Sequence, residues 1–163
     1  MQKLLLKNGN IHDAVKAESC TADILVIDGK IAKIEKDITE EGAEILDVTG
    51  REIYPGFIDA HCHIGLIGFA IGFEGSDVNE MTDILTPQLR AIDGINPQDE
   101  TFADALTGGV TCVATGPGSA NVLGGTFVAI KTYGKRVDDM IVKDPIAPKY
   151  IIVTPKGIFS IEI

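Results

Sequence analysis

Tyr54-Pro55-Gly56-Phe57-Ile58-Asp59-Ala60-His61-Cys62-His63 reads as a strand that ends in two histidines spaced i, i+2. Pro55-Gly56 marks its start. Phe57 to His61 is nearly continuous in apolar character, as expected of a strand buried on both faces. Side chains alternate along a strand, so Asp59, His61 and His63 share one side and Cys62 takes the other. Two imidazoles at one strand end can share a metal ion, with ring nitrogens roughly 2.0–2.1 Å from zinc. A bare His-X-His is by itself a weak signal.

Upstream of this strand, residues 1–55 read as a small β module. Leu4-Leu5-Leu6 followed by Asn8-Gly9-Asn10 predicts strand and turn. Ile24 to Ile27 and Lys30 to Ile34 flank Asp28-Gly29, which predicts a tight hairpin. Ile45-Leu46-Asp47-Val48 is a further short strand ending at Thr49-Gly50. Nothing in the module carries chemistry, and its two-faced strands suggest a sheet packed on something else.

Downstream, residues 56–163 form the second predicted domain. The stretch from Gly65 to about Asn96 is long, Gly-rich and acidic, the pattern of a functional βα loop or lid. Asn96 as N-cap, Pro97 at the first helical position and Asp99-Glu100 in the first turn predict a helix ending at Gly108-Gly109. Its apolar face would be Phe102, Ala105 and Leu106. Val110 to Ala114 is the next strand, which closes a βαβ unit and implies a parallel sheet. Phe127 to Lys131 is a third apolar strand, Val137 to Lys143 a helix, and the tail 150–163 a hairpin around Pro155-Lys156-Gly157.

Composition bounds the function. The chain has 163 residues, 45% hydrophobic and 23% charged, which places it among folded globular proteins. The formal net charge of −10 argues against nucleic-acid and anionic-membrane partners, which need clustered Lys and Arg. No apolar run approaches the roughly 20 residues of a membrane span, and the apolar block near the N-terminus is too short for a signal peptide. A cytoplasmic location is expected, and Cys20, Cys62 and Cys112 suit a reduced compartment without disulfides.

Taken with the β-rich start, Pro55 to His63 resembles the metal-dependent amidohydrolase superfamily, in particular its imidazolonepropionase-like members. Thr86-Pro87-Gln88-Leu89-Arg90-Ala91-Ile92-Asp93-Gly94-Ile95-Asn96-Pro97 and Gly108-Gly109-Val110-Thr111 add to the resemblance, which covers residues 1 to about 148. It implies an α/β fold: a small β-sandwich-like N-terminal module plus the first βα units of an incomplete TIM (β/α)8 barrel. It implies a divalent metal, zinc foremost, with His61 and His63 as ligands, and hydrolysis of C–N bonds in amides or cyclic amides by metal-activated water. The expected partners are a small amide-type substrate and further copies of the chain in a homo-oligomer.

Length sets the competing expectation. Phe57 to Ile163 spans 107 residues, 163 less 56, against about 250 for a typical barrel. His12 is the sole other histidine and lies in the β module. The chain therefore reads as truncated, and a non-catalytic barrel fragment that self-associates, with a residual metal-binding histidine pair, is the alternative function. The catalytic base cannot be placed. The resemblance makes Lys131, at the end of an apolar strand, a weaker metal candidate through carboxylation, against the reading of a solvated lysine. Asp59 can orient an imidazole or anchor a turn, and Cys62 is assigned to packing. Glu74, Asp77, Glu80 and Asp83 can meet a cation or simply solvate the loop.

Overall fold

The computed structural model describes residues 1–68, 72–154 and 157–162. The chain divides into two compact units, Met1–Pro55 and Gly56–Ile163.

The first unit is one five-stranded sheet. Strands β1 (Lys3–Ile11), β2 (Cys20–Ile27) and β3 (Lys30–Glu35) form an antiparallel meander, while β4 (Glu44–Asp47) and β5 (Glu52–Ile53) pair parallel with β1. Asp28 and Gly29 both have positive φ (48° and 78°), the geometry of the tight turn that this dipeptide predicts. Successive residues of β1 and β2 go to opposite faces: Leu5 and Leu25 pack with Ile38, whereas Leu6 and Ile24 join Ile11, Ala22 and Ile53.

Asn8-Gly9-Asn10 is not a turn. It lies inside β1 as a β-bulge, with Asn8 at φ 64° and the register shifting between Leu6 and Gly9. The cause is Asp23, whose buried carboxylate accepts hydrogen bonds from the Asn8 N–H (2.8 Å), the Ile38 N–H (3.0 Å) and the Lys7 ammonium (2.6 Å). The bulge turns the Asn8 amide onto that carboxylate.

Burial pushes the Asp23 carboxyl up, but Lys7 and the two backbone donors outweigh it and hold it below the ordinary value of 3.8. A carboxyl lowered on folding stabilises fully above its unfolded value and loses that contribution as the pH falls through the folded one. Asp23→Asn is expected to cost about 1.5–3 kcal/mol at neutral pH. It should also flatten the fall of stability below pH 3.8, measured by urea unfolding across a pH series.

The second unit is a mixed sheet in the order β10-β9-β8-β7-β6. Strand β6 (Phe57–Cys62) runs parallel to β7 (Val110–Thr115), joined by residues 63–109 with the short helix α1 (Ala91–Gly94) and α2 (Glu100–Thr107). This is the α/β unit that opens a barrel. The sheet then turns antiparallel through β8 (Leu123–Lys131), β9 (Ile141–Thr154) and β10 (Gly157–Glu162). Only residues 116–122 separate β7 from β8, too few for the dozen or more that a parallel crossover needs. The third strand therefore folds back beside the second. The turn at Pro155-Lys156 lies outside the described residues, but the β9–β10 pairing of the expected tail hairpin is present.

Three local expectations need correction. Helix α2 is capped by Asp99, whose carboxylate accepts from the Thr101 N–H (2.9 Å); Asn96 instead caps a preceding turn, accepting from the Gln98 N–H. The later start follows because Asn96 to Asp99 close a turn of their own through the Asp99 N–H to Asn96 carbonyl bond. The helix ends at Gly108-Gly109, with Gly109 at φ +81°; it buries Phe102 but leaves Leu106 exposed. The segment from Val137 is helical only to Met140 (α3), because Ile141 already pairs with Ile130 as the start of β9.

Finally, β6 is not buried on both faces. It is the edge of its sheet, with Phe57 56% and Ile58 72% exposed. The core lies instead around Leu66, Ala91, Ile95, Phe102, Val113, Val128, Ile130 and Met140.

Candidate functional site

Strand β6 ends at Cys62, and the two histidines stand where the chain leaves the sheet. Their imidazole centroids are 5.2 Å apart with the rings nearly perpendicular. His63 Nδ1 lies 2.7 Å from the Gly116 carbonyl oxygen. A carbonyl only accepts, so Nδ1 carries the proton and Nε2 of the neutral ring keeps its lone pair for a ligand. Gly116 sits directly beyond β7, and its N–H donates to the Cys62 carbonyl at 3.3 Å. Thr115, fully buried, donates through Oγ1 to the Ile64 carbonyl at 2.8 Å and fixes the path after His63.

Asp59 accepts a hydrogen bond from the His61 N–H (3.0 Å), so its carboxylate anchors the backbone that carries the first histidine. Cys62 is half-buried with Sγ 3.5 Å from the Ala114 carbonyl, and it packs against the core. Burial above all, with the Asp59 charge added, pushes its thiol up, which makes it a poor thiolate.

Phe127 and Lys149 escape sequence reasoning. Phe127 is 1% exposed and its centroid lies 5.3 Å from that of His61 and 6.4 Å from that of His63. Lys149 is wholly buried with Nζ 5.5 Å from the Phe127 centroid, a cation–π arrangement. Gly116 is required beneath that ring, since a Cβ there would stand 2.2 Å from Phe127 Cγ. Gly116-Pro117-Gly118 after a strand was a readable signal for a close approach, whereas nothing around Lys149 in the sequence marks it.

Lys131 is placed elsewhere. Strand β8 runs antiparallel, so Lys131 pairs with Cys112 near the start of β7, while Val128 pairs with Thr115 beside the histidines. Three residues of strand, roughly 10 Å, separate the two ends, and Lys131 is exposed.

In the acidic segment, Glu80 accepts from the Thr82 N–H and hydroxyl (2.7 and 2.6 Å) and Asp83 from the Leu85 N–H (3.0 Å), so these carboxylates hold turns. The Asn121 side chain, buried, donates to the Glu80 and Asp83 carbonyls at 2.8 Å each, which clamps the segment to the loop after β7. Asp77 and Glu80 line a cleft of about 210 Å³ with Arg90 and Asp93. The Arg90 guanidinium binds Asp93 through two hydrogen bonds (3.0 and 2.7 Å) and holds that carboxyl below the usual range. Among the described residues, no group of three or more His, Cys, Asp or Glu side chains is placed to hold a metal, and no helix is long and apolar enough to cross a membrane.

No family model matches the chain. It is similar to amidohydrolase tasK of Hapsidospora irregularis, 39% identical over 114 residues, which is 67% of this chain and 12% of that protein. It is 50% identical over 60 residues to a dihydroorotase of Streptococcus pneumoniae, 37% of this chain and 14% of that enzyme. Among solved structures, an amidohydrolase from Thermotoga maritima MSB8 superposes with a TM-score of 0.83 at 44% identity, covering 89% of this chain and 38% of its own. The chain thus spans well under half the length of each.

Proposed function

Because the chain belongs to the amidohydrolase superfamily, we propose that it supplies part of the active site of a metal-dependent hydrolase of amide or cyclic amide bonds. The observation that carries this reading is the histidine pair: two imidazoles 5.2 Å apart at a strand end, one of them tautomerically committed by a backbone carbonyl. That donor set fits a divalent metal, zinc foremost, as two of its ligands. The remaining ligands and the general base come from outside the described residues.

His61 and His63 would hold that metal, and the chemistry it would supply when bound is Lewis acidity toward water and the scissile carbonyl. The chain's own residues prepare the place. The Gly116 carbonyl holds the His63 proton on Nδ1, Asp59 fixes the backbone at His61, and Phe127 presents an apolar ring that keeps water from one side of the imidazoles.

A second reading, a self-associating fragment without catalysis, is favoured by the exposed apolar edge of β6 at Phe57 and Ile58. One experiment addresses both. Purified chain, metal-free and then loaded with zinc, is followed by calorimetric titration, light scattering, and hydrolysis of a dihydroorotate or hydantoin substrate. Saturable zinc uptake is expected, and C–N hydrolysis when the polypeptide is supplied with the rest of an amidohydrolase barrel. No zinc uptake would end the first reading. A monomer at high concentration would end the second.

A further inference from the structure

Phe127 is the large side chain whose burial the hydrophobic core does not explain. On β8, Val128 and Ile130 point into the core of the second unit and are fully buried there. Alternation sends Phe127 to the other face of the strand. Among the described residues it lies outside the core cluster, yet it is only 1% exposed. Beside it stand the two imidazoles, Gly116 and the Lys149 ammonium. A side chain of that size on the histidine side of the sheet has one evident effect, which is to fix where the rings can turn.

We infer that Phe127 and Gly116 are positioning residues for the histidine pair, an inference that rests on the metal-ligand reading of His61 and His63. Phe127 is the floor against which both imidazoles lean. Gly116 does two things at one residue. Its carbonyl takes the His63 Nδ1 proton, and its missing side chain lets the Phe127 ring seat where a Cβ would meet Cγ, Cδ1 and Cδ2 at 2.2–2.5 Å. The two roles are linked, because displacing the ring moves the backbone that supplies the carbonyl. The return of β8 antiparallel to β7 is what makes this possible: it brings Phe127 beside Thr115 and Gly116 at the histidine end.

The test uses the full chain without metal. Long-range ¹H–¹⁵N spectra of the imidazoles at pH 8 are expected to show His63 as a single Nδ1–H tautomer, with His61 and His63 ring protons displaced by the Phe127 ring current. Phe127→Leu should mix the His63 tautomers and remove those displacements while far-UV circular dichroism still reports a folded chain. Zinc affinity should fall about 10–100-fold, the usual effect of losing support around a ligand. Gly116→Ala, which keeps the carbonyl, should produce the same spectral change. Should Phe127→Leu fail to fold, Phe127→Met, whose unbranched flexible side chain adapts to an irregular gap, replaces it.

Unchanged tautomer and ring shifts in folded variants would overturn the inference. If wild-type chain takes up no zinc, the ligand reading fails, and the spectra still decide whether Phe127 and Gly116 position the pair.

Discussion

Replacing both His61 and His63 by alanine is expected to abolish zinc uptake by this chain. Structural zinc sites with four protein ligands bind with about 10–16 kcal/mol, so one ligand is worth on the order of 3 kcal/mol, or roughly 100-fold in affinity. A site drawing only two ligands from these residues has nothing to fall back on. Each single variant should lose roughly 100-fold, and the double variant should show no saturable heat in a titration. The second unit should still fold, because neither histidine belongs to its apolar core. His12→Ala is the control. That histidine pairs with Glu52 at 2.5 Å and stacks on Tyr54 with centroids 4.3 Å apart, inside the first unit. Uptake by the double variant at wild-type affinity would show that zinc binds elsewhere.

Phe102→Ala is expected to destabilise the second unit by about 3–5 kcal/mol, the usual cost of removing a buried aromatic side chain and leaving its cavity. Phe102 is the buried residue of α2 and 4% exposed, in one cluster with Leu66, Ile95, Val113 and Val128. A Cβ on Gly65 would lie 3.0 Å from its ring, so the chain just after the histidines is seated on it. The helix has no other buried anchor, since Leu106 faces solvent. Urea unfolding followed by circular dichroism measures the loss. A change below 1 kcal/mol would mean that α2 is held by its cap and not by packing.

Local signals were legible wherever one or two residues set the geometry. Asp28-Gly29 specified its hairpin because both positions need positive φ. Gly108-Gly109 ended α2 for the same kind of reason. The i, i+2 spacing brings the two imidazoles to 5.2 Å of one another where β6 ends.

Two misreadings share a cause, which is that hydrogen bonds from distant residues outweighed local propensity. Asn8-Gly9-Asn10 looks like a turn, but Asp23, fifteen residues away, captures the Asn8 amide and keeps it in the strand as a bulge. The residues after Met140 favour a helix less than pairing with β8, which offers a ready ladder. Phe127 to Lys131 has the same apolar composition whether it runs parallel or antiparallel. Residues 116–122, the seven between β7 and β8, decide direction by their reach, and that direction sends Lys131 away from the histidines and brings Phe127 to them.

The sequence by itself therefore determined the family, the first α/β unit and the pair of histidines, because these rest on residue type and period within a few positions. Only the tertiary structure decided what surrounds the pair. The Gly116 carbonyl, the Phe127 ring and the buried Lys149 come from three separate segments, and no local pattern reports that the sheet folds them onto one another.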